Sequence, residues 1–358
     1  MLLVNDVTHD QRIYRIAHSL RDAGAEVCIY GRLRPWSKSI DWKGIKIQRF
    51  ELGIENGPLM YYRMNQHFAR EGRKEQWDVV VSNDFDTLWA GKKIAKKCSA
   101  KWVLDAHELF TEVPELQGKP MKKFIWHRLG KWLIPNVDLA MTVSPSISNE
   151  LGLKYGQKFH SIPNVPFKRK AAKIHKRKNV ILYQGAINKG RGLELAIKAM
   201  HQIEGLKLVI AGEGDLSAEV RKLVREDQLE AKVEFLGMVK PKELRSITKT
   251  AWLGLNLLTS ESTNYYYSLA NKFFDYAQAG IPSINMDFPE YRRLIEEYNC
   301  GRLLSTLKIE AYVNLVRSLQ SDEKEYQKLC QGALALAEDY HWEKYEPKLI
   351  ELYESLFS

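Results

Sequence analysis

The chain has 358 residues, 45% of them hydrophobic, and a formal net charge of +10. That is enough apolar material for two ordinary domain cores and too much for a disordered protein. No run of 18 or more apolar residues occurs, so no bilayer-spanning helix is expected, and Met1-Leu2-Leu3-Val4-Asn5-Asp6 turns polar too early for a signal peptide.

In the first half, Leu2–Asn5 reads as a short strand. Ile13, Ile16, Ala17 and Leu20 fit one helix face, with Gly24 as the stop. Val27–Tyr30, Ile45–Phe50, Asp78–Ser82, Trp102–Asp105 and Leu139–Val143 are predicted strands, and Thr87–Cys98 a helix. Ser144-Pro145 is an N-cap and N1 pair for a helix through Leu151. In the second half, Val180–Tyr183, Leu206–Ala211, Val233–Leu236, Leu253–Leu258 and Ile281–Asn285 are predicted strands separated by helices. Three closing helices are expected near Glu310–Leu319, Tyr326–Ala337 and Lys344–Leu356. Cys28, Cys98, Cys300 and Cys330 form no C-x-x-C pair and read as core residues of a reducing compartment.

Strand-helix alternation with short connections predicts α/β domains with parallel sheets covered on both faces. Two such series flank Ile162-Pro163-Asn164-Val165-Pro166 and the basic run to Lys178. They predict two Rossmann-like, doubly wound domains facing across a cleft, residues 1–165 and 166–342. Ligands of such sheets bind beyond the carboxyl ends of the strands, so the residues just after each strand are the candidates.

Gln184-Gly185-Ala186-Ile187-Asn188-Lys189-Gly190-Arg191-Gly192 offers glycines for close backbone approach and two cations for a diphosphate at a helix start. An ordinary solvated loop would carry the same residues. Asn271 and Lys272 fall in the first turn of a short helix, where the dipole disfavours lysine unless an anion offsets it. Asp275 lies three residues on, suited to a ribose diol or, equally, to a surface pair with Lys272. Gly212-Glu213-Gly214 resembles part of a dinucleotide loop, a weak signal alone.

In the first half, Asp105-Ala106-His107-Glu108 follows a strand. His107 there is a candidate to orient a sugar or handle a proton, or a structural histidine. Glu108, Glu112 and Glu115 are acceptor-side carboxylates or solvated loop residues. Asp10 and Arg12 open the first helix, as cap and cleft cation, or as capping alone. Lys122–Ile134 mixes cations with Phe124, Trp126 and Trp132, which fits an anionic membrane surface or a packed amphipathic helix. Metalloprotease, P-loop and nucleophile-elbow signatures are missing from the sequence.

Together these residues resemble the retaining glycosyltransferases of family 4, which have the GT-B fold. The resemblance spans nearly the whole chain. It rests on Asn5-Asp6 with Asp10-Gln11-Arg12, Asp105-Ala106-His107-Glu108-Leu109, Val143-Ser144-Pro145-Ser146 and Ile162-Pro163-Asn164-Val165. It continues in Tyr183-Gln184-Gly185 with Lys189-Gly190, Val209–Gly214, Phe235-Leu236-Gly237 and Leu269–Tyr276.

The resemblance implies a donor nucleotide on the second domain and an acceptor on the first. It makes His107, Lys189 and Lys272 the catalytic candidates. Donor contacts are implied at Gly185, Arg191, Gly212, Glu213, Gly214, Met238, Leu269, Ala270, Asn271 and Asp275, and acceptor contacts at Asp10, Arg12 and Glu108. Lys189 matches the family's phosphate lysine, and Asp275 the second acid of its E-x7-E pattern, which holds the ribose. A closing helix, residues 343–358, is expected to return to the first domain. Three positions depart from the pattern. The arginine after the first glycine is Ala186, with Arg191 as the substitute; the first acid is Tyr267; the second is Asp rather than Glu.

The implied reaction moves a hexosyl or N-acetylhexosaminyl group, with retention, from a UDP- or GDP-sugar to a glycan or lipid-linked glycan hydroxyl in cell-surface polysaccharide synthesis. No cofactor or metal is expected, because Lys189, Arg191, Lys272 and helix N-termini would balance the leaving diphosphate. A cytoplasmic enzyme at the inner face of a membrane is expected. Nucleic acid is not, since no aromatic residues interleave Lys168–Lys178. A sugar-nucleotide epimerase of related fold and a non-catalytic nucleotide-sugar or nucleic-acid binder are the alternative readings.

Overall fold

The computed structural model describes residues 1–54, 57–113, 116–169 and 177–358, so Glu115 and most of the basic run lie outside the described residues. The chain divides into two compact units, Met1–Asn164 with Lys344–Ser358, and Val165–Glu343.

The first unit contains strands β1 (Val27–Leu33), β2 (Ile45–Glu51), β3 (Val79–Asn83), β4 (Lys101–Ala106), β5 (Leu139–Thr142) and β6 (Phe159–Ser161). All pairings are parallel, β1 with β2 and β3 through β6 in chain order. The strand expected at Leu2–Asn5 contracts to one bridging residue. Leu2 pairs in parallel with both Tyr30 and Ser82 and joins the two ribbons. The segment cannot run on because Asp6 turns it: its carboxylate accepts the Thr8 N–H (3.1 Å) and starts a tight turn, Val7–His9. Counting Leu2 as the first strand, the sheet runs 3-2-1-4-5-6-7, the doubly wound order with one further strand. Its central strands are buried on both sides, as in Val103, Leu104, Ala106, Ala140 and Met141.

Helices α1 (Gln11–Asp22), α2 (Pro58–Gly72), α3 (Leu88–Cys98), α4 (Pro120–Leu133) and α5 (Pro145–Tyr155) connect these strands. Helix α1 buries Ile13, Ile16, Ala17 and Leu20, the face expected from spacing. Ser144 caps α5, accepting from the Ile147 N–H. Helix α2 was not expected from the sequence, although Pro58 at N1 and the buried Met60, Met64 and Phe68 mark it.

The second unit holds β7 (Val180–Gln184), β8 (Lys207–Ala211), β9 (Val233–Gly237), β10 (Leu253–Asn256), β11 (Ser283–Met286) and β12 (Gly301–Leu304), in the order β12-β11-β10-β7-β8-β9. This is 3-2-1-4-5-6 read from the other edge. The chain winds outward from β7 and then returns to its opposite side at β10, so the loops after β7 and β10 diverge and leave a crevice. Helices α6 (Leu193–Ala199), α7 (Ser217–Glu226), α8 (Pro241–Thr250), α9 (Thr263–Tyr266), α10 (Asn271–Gln278), α11 (Pro289–Tyr298), α12 (Ile309–Ser321) and α13 (Glu323–Asp339) cover the sheet, and α14 (Trp342–Glu354) follows. The buried Tyr276 fixes α10 at the divergence. Its hydroxyl donates to the carbonyls of Leu182 (2.9 Å) and Leu255 (3.2 Å), on β7 and β10.

Candidate active site

In the second unit, β7 ends at Gln184 and the chain turns at Gly185, whose φ is +127°. Glycine is required nearby too. At Gly212, with φ +148°, a Cβ would run into the Gly185 carbonyl. The loops after β7 and β8 are laced together by Gly185 N–H to Ala211 O (2.9 Å) and Ile187 N–H to Glu213 O (3.2 Å). A Cβ at Gly214 would strike Asn188 and the Ile187 carbonyl. These small residues let two backbones and their N–H groups crowd one place beyond the strand ends.

Lys272 reaches into this place. It is the second residue of α10, and that helix has no side-chain cap. The lysine is 8% exposed, and its Nζ has no hydrogen-bond partner. The ammonium lies 3.8 Å from the centre of the Tyr183 ring, and a Cβ on Gly185 would be 3.4 Å from it. Burial pushes the Lys272 ammonium well below its usual value, and the Arg191 charge adds to that shift. Arg191 stacks over the Tyr265 ring at 4.8 Å and keeps a buried Nε without a partner. Two cations with unanswered donors, one uncapped helix start and a glycine turn come together here, an arrangement that can hold a polyanion.

The other expected donor residues vary in their placement. Lys189 is exposed on the same turn. Asp275 does not meet Lys272: its oxygens pair with Arg169 (2.6 Å) and accept from Gln184 (3.1 Å), so the surface pair is not formed and the carboxylate is already engaged. Glu213 forms a two-point pair with Arg221 (2.6 and 3.0 Å), which draws its carboxyl down to about 2. Leu269 is buried, Asn271 is exposed at the first position of α10, and the Ala270 N–H donates to the Tyr291 hydroxyl (2.9 Å). Met238, just past β9, is 75% exposed.

In the first unit, a charged chain runs back from His107 to α1. His107 Nε2 is 3.2 Å from Asp105, its Nδ1 3.5 Å from Asp84, and its N–H donates to Asp84 (2.8 Å). Asp105 is fully buried and accepts two bonds from Arg12 (2.6 and 2.9 Å). The remaining Arg12 nitrogen donates to Ile162 O (2.6 Å). Burial would lower the imidazole, but the Asp84 and Asp105 charges outweigh it and raise His107 to about 10. At neutral pH the ring is therefore an imidazolium, a donor and not a base.

Arg12 corrects an expectation. It is 2% exposed and fully engaged, so it braces Asp105 and does not reach out to an acceptor. Asp10 caps α1, its carboxylate accepting from the Arg12 and Ile13 N–H groups. Glu108 is half-buried in the loop after β4, and Glu112 is held by Lys123 (2.7 Å) and Lys154 (3.0 Å).

Sequence reasoning missed Asp84, Tyr183, Tyr265 and Arg169. Asp84 was findable: it directly follows β3, and its φ of +62° holds it where it meets His107. Tyr183 read as an ordinary core strand residue, and nothing in its spacing marks the cation above it.

The chain matches two family descriptions. Glycosyl transferases group 1 covers residues 164–334. Glycosyltransferase Family 4 covers residues 10–165. No curated protein matches the sequence. Among solved structures, the chain is similar to the sucrose-phosphate synthase of Thermosynechococcus elongatus, at 18% identity and TM-score 0.79, over 99% of this chain and 98% of that one. It is also similar to HepE of Anabaena, solved with UDP and glucose, at 14% identity and TM-score 0.78, over 99% of each chain. The lipopolysaccharide outer core galactosyltransferase WaaB follows at 16% identity and TM-score 0.70, over 99% of this chain and 98% of that one. At these identities the likeness establishes the fold. With the two family matches, which together run from residue 10 to residue 334, it follows that the chain belongs to the group 1 glycosyl transferases and is a glycosyltransferase made of two Rossmann-like units of the GT-B kind.

Proposed function

We propose that the chain transfers a sugar from a nucleoside-diphosphate donor, UDP- or GDP-linked, to a hydroxyl of a glycan or lipid-linked glycan, with retention of anomeric configuration and without a metal ion. The observation that carries this reading is the buried, unpartnered Lys272 ammonium beside Arg191 and the Gly185 turn. Bond breaking leaves the pair of electrons on the β-phosphate oxygen of the donor, and the charge gathered there is what Lys272, Arg191, Lys189 and the α10 N–H groups would hold. An anion stabilised by fixed cations and backbone donors needs no divalent ion for that purpose.

His107, as an imidazolium, suits a hydrogen bond to a sugar hydroxyl and not removal of the acceptor proton. In a retaining transfer the departing phosphate lies on the face the acceptor attacks, so it is the base at hand. The HepE structure carries UDP and glucose, which supports a UDP-sugar as the first donor to try. The acceptor proposed belongs to cell-surface polysaccharide synthesis, and a peripheral place on the inner face of a membrane fits a lipid-linked one. Among the described residues no helix is long and apolar enough to cross a membrane. The test is turnover with UDP- and GDP-sugars in chelator, with the product anomer read by NMR. Undiminished turnover and a retained anomer are expected; a strict requirement for added metal, or an inverted product, contradicts the proposal.

A further inference from the structure

The first unit carries a face that the transfer reading leaves unused. Among the described residues twelve large apolar side chains are exposed, and six of them lie on two helices: Leu59 and Tyr62 on α2, and Met121, Phe124, Ile125 and Trp132 on α4. Helix α4 buries only Gly130 and Leu133, the reverse of an ordinary amphipathic helix, and exposes Lys122, Arg128 and Lys131 among its apolar residues. Ring contacts tie the helices into one face. Tyr61 of α2 meets Trp126 of α4 (5.4 Å between centres), Tyr62 meets Trp89 of α3 (6.4 Å), and Lys92 of α3 sits 4.2 Å above the Trp132 ring.

Beside this ridge, α2 and α3 enclose a hollow of about 370 Å³. Arg63, Arg70, Arg73 and Lys93 line it with His67 and Trp89, and among the described residues no acidic side chain does. Arg70 is paired at its edge with Glu71 (2.9 Å), and the Arg73 Nε donates to Ala69 O (2.6 Å). Arg63 and Lys93 meet no carboxylate among the described residues; Lys93 lies 3.6 Å over the Trp89 ring instead. The buried Nε2 of His67 has no hydrogen-bond partner. Arg63, Arg73 and Lys93, with no carboxylate partner among the described residues, repel one another around the hollow until an anion enters, and arginine forks match phosphate oxygens in pairs.

We propose that this face docks on a membrane, with the hollow taking the phosphate of an anionic phospholipid headgroup and Tyr62, Phe124, Ile125 and Trp132 entering the boundary between headgroups and acyl chains. The net charge of +10 complements such a surface. The inference specifies the surface for the peripheral location proposed above, and binding is measured without sugar transfer, so the two readings fail separately.

The test is co-sedimentation of the full chain with vesicles of phosphatidylcholine, alone or mixed with phosphatidylglycerol, at low and at physiological salt. Arg63→Glu with Lys93→Glu alters the hollow; Phe124→Ser with Ile125→Ser alters the ridge. All four positions lie on helix surfaces, and circular dichroism with the melting temperature establishes that each variant is folded. Basic residues near an anionic surface contribute about fivefold each. Wild type is expected to sediment with the anionic vesicles, the hollow variant to lose about tenfold or more of that preference, and the ridge variant to lose binding to both vesicle types. Wild type remaining in the supernatant with anionic vesicles at low salt overturns the proposal, and so does a hollow variant that binds as wild type does.

Discussion

At the scale of single residues, the proposed donor site turns on Lys272. Its ammonium is buried over Tyr183 with no acceptor, and burial followed by the Arg191 charge lowers its affinity for a proton. A diphosphate bound there would supply negative charge and raise that affinity again, so binding would take up a proton wherever the pH lies between the free and bound values. UDP affinity should therefore weaken as pH rises towards the ordinary lysine range, by up to about tenfold per pH unit, and Lys272→Arg should flatten the profile because arginine keeps its charge. Calorimetric titration across that range reads the effect. A wild-type affinity that does not change with pH contradicts it. His107 illustrates the opposite balance, a buried group whose two carboxylate neighbours outweigh desolvation and keep it charged.

At the scale of elements, the donor-side turn depends on the loops after β7 and β8 passing closer than side chains permit. Gly212→Ala places a methyl against the Gly185 carbonyl at a φ of +148°. Overpacking and the backbone strain together should cost about 3 kcal/mol. Thermal unfolding should show the loss, and Gly205→Ala, with φ +72° but open space around it, should show only the smaller backbone part. Equal losses at the two positions would remove close packing as the reason for the glycine.

Much of this layer was legible in the sequence. The strands β7 to β11 and the buried face of α1 follow from apolar runs and 3.6-residue spacing. What escaped was short or long-range. Phe159–Ser161 is three residues long and Gly301–Leu304 four, too brief for a pattern. Leu2 behaves as a strand only through partners at Tyr30 and Ser82. The pairing of Asp275 with Arg169 joins residues 106 apart, so spacing along α10 pointed to Lys272 instead. Arg12 read as a cleft cation because its partner Asp105 is 93 residues away.

At the scale of the molecule, both units repeat one winding order, and both gather their charged residues at the strand ends where that order reverses. In the second unit the divergence of β7 and β10 admits Lys272 and the Gly185 turn to one crevice, which is where a nucleoside diphosphate is proposed to sit. In the first, Asp84 and His107 follow β3 and β4, with Arg12 bracing Asp105 behind them. The most direct measurement of the account is UDP binding by titration calorimetry to wild type and to Lys272→Met, a change that keeps the buried volume and removes the charge. The account predicts saturable binding to wild type and a roughly 10- to 100-fold weaker affinity in the variant, the worth of one charge-assisted contact to a buried phosphate. Equal affinity in the two proteins, or no binding of UDP or GDP to either, would contradict it.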